Sequence, residues 1–131
     1  MGQVAYLLDS NTTIDYLDNK LDKQGMLFIN KIVDSNELCF SVISKIDVLG
    51  FNIKQTEALT LLNNFVDVGF VYYLDEAIVS RTIAIRKTQK IKLPDAIIAA
   101  TAVANKLTLI TRNAKDFEKI NKLKVINPYS L

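Results

Sequence analysis

The sequence predicts an α/β fold, a three-layer α/β/α sandwich around a mostly parallel sheet of roughly five strands. Short apolar runs, typical of buried parallel strands, alternate along the chain with longer segments whose apolar residues recur at helical spacing. Strands that alternate with helices indicate βαβ units with right-handed crossovers. A chain of 131 residues, 50% of them hydrophobic, can bury one core but not two ordinary ones. We therefore expect a single domain over residues 1–131.

The predicted strands are apolar runs of four to six residues, each bounded by polar or turn-forming residues. The first run closes at Asp9, and the fourth is followed by a polar turn that contains Asp116. These strands cover residues 4–8, 38–43, 70–74, 107–110 and 123–126.

The helices follow from capping residues and from apolar periodicity. Residues 9–13, Asp-Ser-Asn-Thr-Thr, offer several N-caps in succession, so the first helix should begin near Asn11. Pro94 marks the first turn of a helix over residues 94–105, which is rich in Ala and Ile and should be buried. A short helical turn after the second strand carries Asp47 and ends at Gly50. The remaining predicted helices cover residues 24–33, 54–65 and 76–90.

Composition excludes several classes of chemistry. The chain has no histidine, which removes Ser-His-Asp and Cys-His nucleophile pairs and His-ligated zinc. Cys39 is the single cysteine and lies in an apolar strand, so we expect a small buried side chain rather than a disulfide. None of the four glycines belongs to a Gly-rich phosphate loop, which disfavours nucleotide binding of the Rossmann or P-loop type.

Membrane association is not expected. The longest nearly apolar stretch, residues 96–104, is far shorter than the roughly 20 residues needed to cross a bilayer. The N-terminus lacks a basic segment followed by an apolar run, so it does not resemble a signal peptide. We expect a soluble, cytoplasmic protein.

The formal net charge of +2 conceals a strong asymmetry. Residues 1–78 contain 5 Lys and Arg against 11 Asp and Glu, whereas residues 79–131 contain 11 against 3. The C-terminal part is therefore a candidate surface for a polyanion such as RNA. Solvated helix faces are the alternative explanation of such a charge run.

Four aspartates stand at the edges of apolar segments: Asp9, Asp47, Asp95 and Asp116. Each has an ordinary alternative role. Asp9 is suited to cap the first helix, although Ser10 and Asn11 could cap it instead and leave Asp9 free. Asp95 is suited to the first turn of its helix, and Asp47 and Asp116 to exposed positions.

Together the four acids indicate a metal site. In a parallel sheet the ligand site lies at the carboxyl ends of the strands, where Asp9 and Asp116 should both open. Ionised carboxylates in apolar surroundings are costly unless they are paired or bind a cation. Oxygen ligands without histidine suit Mg²⁺ or Mn²⁺ and argue against zinc.

The chain resembles the PIN-domain family, and most closely the VapC-type ribonuclease toxins of toxin–antitoxin systems. Four segments carry the resemblance, and they run over essentially the whole chain: LDSN at residues 8–11, SVISKIDVLG at 41–50, PDAIIAATA at 94–102 and LITRNAKDF at 109–117. Asp9, Asp95 and Asp116 fall on the family's acidic positions, and Thr111 and Asn113 on its polar positions beside the last acid. The second acidic position is usually Glu in this family, and here it is Asp47.

The resemblance implies a Mg²⁺- or Mn²⁺-dependent endoribonuclease that acts on RNA, is held inactive by a cognate antitoxin, and forms a homodimer. Asp9, Asp95 and Asp116 would bind the metal, and Asp47 would complete the site or orient a water. Thr111 and Asn113 would position a carboxylate or the phosphate, with local turn hydrogen bonding as the alternative. Products with 5′-phosphate and 3′-OH ends are expected.

Two cations flank the polar residues of the last motif. Arg112 and Lys115 are the candidate RNA contacts, because they lie beside the proposed metal turn in the basic part of the chain.

Two rival functions stay open at this point. A phosphoacceptor receiver domain is also a small parallel α/β fold, but this chain lacks paired acids after its first strand and a Lys-Pro after its last. A PIN-like module that binds RNA or a partner without cleaving it is the closer rival, because Asp47 is one methylene shorter than Glu. Metal-dependent cleavage of a generic RNA separates the catalyst from the binder.

Overall fold

The computed structural model describes residues 5–50 and 55–131, and the sheet within these ranges has five strands. The strands lie in the order β3-β2-β1-β4-β5, and every pair that the structure describes is parallel. In the register of the central pair, Leu7 of β1 is opposite Leu109 of β4. The strands are β1 (Tyr6–Leu8), β2 (Leu38–Ser41), β3 (Phe70–Tyr72), β4 (Thr108–Ile110) and β5 (Lys124–Ile126).

Seven helices connect and flank the strands within the described ranges. Asp22 and Asp75 cap α2 and α5, because each carboxylate accepts a hydrogen bond from the backbone N–H three residues on. The helices are α1 (Ser10–Leu17), α2 (Lys23–Asp34), α3 (Val42–Leu49), α4 (Thr56–Val68), α5 (Glu76–Thr88), α6 (Leu93–Ala104) and α7 (Ala114–Phe117).

Helices cover both faces of the sheet, which confirms the predicted three-layer α/β/α sandwich. Alternate strand residues point to opposite faces, so Leu7 and Leu109 pack on one face and Leu8 and Ile110 on the other. The first face packs against α5, α6 and α7, and the second against α1, α2 and α4. Each fully buried Leu or Ile contributes about 1.5–3 kcal/mol to folding.

Helix α6 is the most deeply buried helix, as its composition predicts. Seven consecutive residues, Ala96–Ala102, are buried. Small alanine side chains let α6 approach the sheet closely, and Thr101 satisfies its buried hydroxyl by donating to the Ile97 carbonyl at 2.7 Å. Its first turn therefore lies at the edge of the core and carries Asp95 there.

Several boundaries differ from the predicted ones by a few residues, among them the end of β3, at Tyr72 rather than residue 74, and the end of α4, at Val68 rather than residue 65. One boundary and one unpredicted helix have identifiable reasons. Strand β2 ends at Ser41 rather than at residue 43, because the Ser41 hydroxyl accepts the Ile43 N–H at 3.1 Å and caps α3. The polar turn after β4 contains a one-turn helix, α7, that sequence patterning did not predict; its buried Phe117 packs against the α6 side of the core. Val4 and Lys54, which begin a predicted strand and a predicted helix, lie outside the described residues.

Cys39 is buried in β2 with 5% of its surface exposed, as predicted. Burial raises the pKa of its thiol to about 11. Within the described ranges, no helix combines the length and the apolar composition that a membrane span requires.

Candidate active site

The candidate site lies where the strand order reverses. Chain order runs outward from β1 through β2 to β3, and then returns to the other side of β1 with β4. A cleft forms outside the carboxyl ends of the two strands at such a switch point. Asp9 directly follows β1 and Thr111 directly follows β4, and the Asp9 N–H donates to the Ile110 carbonyl at 3.2 Å.

Asp9 has a structural role as well as a place in the cleft. Its Oδ1 accepts the Thr12 N–H at 2.9 Å, so Asp9 has the capping role that its position suggested, and the alternative caps Ser10 and Asn11 do not replace it. Its Oδ2 accepts the Thr111 hydroxyl at 2.5 Å. Each carboxylate oxygen has two lone pairs, so Asp9 keeps acceptor capacity towards the cleft.

Thr111 ties the two strand ends together. Its side chain is buried, and its hydroxyl donates to Asp9 and accepts the Asn113 N–H at 3.2 Å. Asn113 is exposed, and its carbonyl accepts the Asp116 N–H at 3.0 Å at the start of α7. The local turn hydrogen bonding considered for these residues is therefore present, and it links Asp9 to the loop that carries Asp116.

Three of the four predicted acids line one cleft of about 320 Å³. Asp9 comes from the end of β1, Asp47 from α3 and Asp95 from the first turn of α6. The remaining lining residues are Ser10, Asn11, Ile14, Pro94, Ile98, Thr111, Asn113 and Phe117.

Asp47 reaches this cleft because α3 packs between α1 and α6. Its Oδ2 accepts the Ser10 hydroxyl at 3.1 Å. Sequence reasoning did not assign Ser10 to the site, although its position next to Asp9 was a usable signal. Asp47 is exposed, and the Ser10 hydrogen bond directs its carboxylate towards the β1–α1 junction.

Asp95 is half-buried, and the pKa of its carboxyl depends on the other three acids. Burial is the main effect that raises the pKa of its carboxyl, and the charge of Asp116 is the next. The charges of Asp9 and Asp47 raise the pKa of Asp95 further, while Lys92 lowers it. Asp95 is therefore the acid that the other three influence.

Asp116 opens onto a second cleft, of about 600 Å³, that shares Asp95 and Asn113 with the first. Asp116 is exposed in α7. Four lysines line this cleft, and its full lining is Gln89, Lys90, Ile91, Lys92, Asp95, Asn113, Lys115, Asp116 and Lys119. Asp95 thus lies on the boundary between an acidic and a basic cleft.

The donor set fits a hard divalent cation. Within residues 5–50 and 55–131, no three acidic side chains are close enough to form a ready-made metal cluster. Mg²⁺ does not require one, because it keeps several waters and commonly binds through one or two carboxylates. The oxygen donors at the two clefts, and the neighbouring negative charges that add to burial in raising the pKa of Asp95, are the features that such an ion would complement.

Arg112, unlike Lys115, lines neither of the two clefts. Its guanidinium lies 4.2 Å from the centre of the Tyr129 ring and 3.8 Å from Asp15 Oδ2. The Tyr129 hydroxyl donates to the same Asp15 oxygen at 2.5 Å. Asp15 is therefore more than a surface acid, and no local sequence pattern links it to a tyrosine 114 residues away.

Comparisons with known proteins agree with this architecture. A family model described as the PIN domain matches residues 4–123. The structure is similar to a toxin-antitoxin complex from Klebsiella pneumoniae, with 29% sequence identity, a TM-score of 0.76, and coverage of 97% of this chain and 100% of that chain. No curated protein matches the chain.

Two further solved structures share the fold at lower identity. DNA-bound VapBC from Salmonella typhimurium is 22% identical with a TM-score of 0.81, over 96% of this chain and 99% of that chain. VapBC-1 from nontypeable Haemophilus influenzae is 21% identical with a TM-score of 0.80, over 95% and 98%. The resemblance stated from the sequence motifs is confirmed, and, because the family match spans most of its length, this chain belongs to the PIN domain family.

Proposed function

We propose that this protein is a divalent-metal-dependent endoribonuclease that hydrolyses RNA phosphodiester bonds. The observation that carries the proposal is the convergence of Asp9, Asp47 and Asp95 on one cleft at the switch point, with Asp116 beside Asp95. Repulsion among these acids would be relieved by a cation, and a cation-loaded cleft next to four lysines is suited to a phosphate group.

The proposed roles follow from the placement of each side chain. Asp9, Asp95 and Asp116 would hold Mg²⁺ or Mn²⁺, which when bound lowers the pKa of a water and stabilises charge on phosphate oxygens. Thr111 orients the Asp9 carboxylate through its hydroxyl, and Asn113 lies between the two clefts, where it can position a phosphate.

Asp47 would act through its hydrogen bond with Ser10. The Ser10 hydroxyl holds the Asp47 carboxylate at the cleft wall, where it can orient a water. The sequence contains no histidine, so an imidazole pair cannot activate a ribose 2′-OH. Products with 5′-phosphate and 3′-OH ends are part of the proposal.

We also propose that the protein is the toxin of a toxin–antitoxin pair. The similar structures from Klebsiella pneumoniae and Salmonella typhimurium are described as toxin-antitoxin and VapBC complexes. A cognate antitoxin would then be the natural partner, a homodimer the expected assembly, and the cytoplasm the expected location. Co-expression with the protein encoded by the neighbouring gene, followed by co-purification, tests the partnership.

The enzymatic proposal is tested with single-stranded RNA of mixed sequence. The parent should cleave it with Mg²⁺ or Mn²⁺ and stop when EDTA is added, whereas Asp95→Asn should not cleave it under either condition. Comparable cleavage rates for the parent and Asp95→Asn would refute the assignment. Equal rates with EDTA would refute metal dependence.

A second candidate function is an RNA- or partner-binding module without nuclease activity. It is favoured by the separation of the acids, since no three of them in the described ranges form a ready-made cluster. The shorter reach of Asp47 favours it too. RNA binding by the parent without cleavage, across a full titration of Mg²⁺ and Mn²⁺, would support this function over the enzyme.

A further inference from the structure

We infer that a basic groove running from Arg81 to Asp95 binds the sugar–phosphate backbone of one RNA strand and leads it into the acidic site. The inference rests on the proposed function, because it takes RNA as the substrate. It differs from the sequence-based prediction, which placed the RNA contacts at Arg112 and Lys115.

The groove consists of two clefts that share a wall. The cleft of about 600 Å³ beside Asp95 and a cleft of about 320 Å³ beyond it are both lined by Gln89 and Lys119. The farther cleft lies between α5, the end of α6 and the segment after α7. Its lining comprises Arg81, Ala84, Ile85, Thr88, Gln89, Val103, Lys119, Ile120 and Asn121. Along α5 alone, Arg81 to Thr88 adds about 10 Å of path at ~1.5 Å per residue.

Charge along the groove has a definite polarity. Five cations line it, namely Arg81, Lys90, Lys92, Lys115 and Lys119, and its two acids, Asp95 and Asp116, both lie at the catalytic end. The ion pairs found among the described residues are Lys20–Asp18 and Arg112–Asp15, so none of the five groove cations is engaged in one there. These cations are therefore available to phosphates, and a divalent cation held by the acids would make the Asp95 end attractive to the strand as well.

The lining chemistry indicates recognition of the backbone rather than of the bases. The apolar residues of the groove are aliphatic, Ala84, Ile85, Ile91, Val103 and Ile120, and no aromatic side chain is among the described lining residues. Proteins that bind the bases of a single strand usually stack them on aromatic side chains. Lys and Arg instead neutralise the phosphates, whatever the base sequence. The volumes of the two clefts, in the range of small-ligand pockets, match a few nucleotides of one strand.

The contacts of Arg112 place its side chain outside the groove. Its guanidinium is stacked on Tyr129 and faces Asp15 of α1, whereas Lys115 lines the groove with Lys119. Of the two cations that sequence reasoning selected, the structure places only Lys115 on the inferred path.

The test measures RNA binding in EDTA, where cleavage does not interfere. The affinity of the parent for a fluorescent 20-nucleotide single strand is measured from about 0.05 to 0.3 M salt and compared with that of the double variant Arg81→Ala, Lys119→Ala. For two lost contacts, the slope of log affinity against log salt should become shallower by about 1.4, which is about 25-fold weaker binding at 0.1 M salt if the two lines meet at 1 M.

Two variants make the measurement specific. The control Lys31→Ala, Lys124→Ala removes two exposed charges that line neither cleft and are in neither ion pair, and it should keep the slope of the parent. The charge-preserving variant Arg81→Lys, Lys119→Arg should restore most of the affinity, which separates a charge effect from a folding defect.

The outcomes also separate this inference from the proposed function. A slope for Arg81→Ala, Lys119→Ala equal to that of the control overturns the groove, even if the parent cleaves RNA. Loss of antitoxin binding with unchanged RNA affinity overturns it as well, and would make the groove a protein-binding surface. Shallower salt dependence in a protein that never cleaves RNA supports the groove and refutes the nuclease.

Discussion

At the scale of single residues, Asp95 is subject to opposing influences. Its place in the first turn of α6 and the nearby charge of Lys92 both favour the ionised carboxylate. Burial and the charges of Asp116, Asp9 and Asp47 oppose ionisation, and they prevail, since the pKa of Asp95 is raised. A group that is costly to ionise in the folded protein, yet lies at the centre of the site, is characteristic of function rather than of stability.

Asp95→Asn should therefore raise the melting temperature at neutral pH while it removes cleavage. A carboxyl whose pKa is higher in the folded than in the unfolded state favours folding when protonated, and this contribution is lost as pH rises through the folded-state pKa. The gain over the parent should shrink from pH 7 towards pH 4. Asp67→Asn, which removes an exposed charge outside both clefts, should show no such trend in thermal scans.

Substitutions at Asp47 test whether the short aspartate side chain is sufficient at this position. Asp47→Glu keeps the charge and adds reach, and glutamate is a slightly better helix former, so activity should be retained or increase, most visibly at limiting Mg²⁺. Asp47→Ala should lower cleavage by about 10–100-fold, the usual effect of losing a carboxylate that supports a metal site. Parental rates for Asp47→Ala over a full Mg²⁺ titration would reduce the site to three acids.

At the scale of elements, the C-terminal segment after β5 secures the loop that carries Thr111 and Asn113. The Asn127 amide donates to the Arg112 carbonyl at 3.3 Å, and Tyr129 contacts the Arg112 side chain. The segment also packs closely on α2, where a Cβ added at Gly25 would lie 2.5 Å from the Pro128 carbonyl oxygen. The loop is thus held to α1 twice, through Thr111 to Asp9 and through Arg112 to Asp15.

Tyr129→Phe should destabilise the protein by about 1–2 kcal/mol, because it removes the hydroxyl that donates to Asp15 but keeps the ring beneath Arg112. Urea unfolding measures the difference. Tyr72→Phe is the matched control, since the Tyr72 side chain is also half-buried and its hydroxyl makes no hydrogen bond to the described residues. Equal stability of the two variants would show that the Asp15 contact contributes nothing.

At the scale of the whole molecule, the site joins the two oppositely charged parts of the chain. Asp9 and Asp47 come from the acidic residues 1–78, whereas Asp95 and Asp116 are two of only three acids in the basic residues 79–131. The strand order brings the two parts together at β1 and β4. A cation at the junction would reduce repulsion between acids that come from distant parts of the sequence.

Mg²⁺ or Mn²⁺ should therefore raise the melting temperature of the parent. Binding to the native state alone stabilises it by about 2.7 kcal/mol when the free ion is at 100 times its Kd. Asp95→Asn should respond much less, because it removes the carboxylate that lies between the two clefts. Identical shifts for the parent and Asp95→Asn, or no shift for either, would show that these acids do not share an ion.

Much of this architecture was predictable because its signals are local. Capping residues, apolar runs and the Pro94 turn placed most helices and strands to within a few residues, and alternation of the two predicted the parallel sheet. Where local signals compete, the prediction was wrong or left open: the predicted strand over residues 38–43 ends at Ser41, which caps α3, and of the candidate caps of α1 the structure uses Asp9. Helix α7 is a single turn, too short for periodicity to indicate.

The sequence by itself determined which residue types are available, that four acids lie at the edges of apolar segments, and that the chain belongs with the PIN domains. Only the tertiary structure decided which of them meet. The strand order brings Asp9 and Thr111 within hydrogen-bonding distance over 102 residues, Asp47 reaches the cleft through the packing of α3, and Arg112 faces Asp15 while Lys115 lines the groove. The physical reason is that composition and periodicity report the environment of each segment, whereas partners distant in sequence are set by how the layers pack.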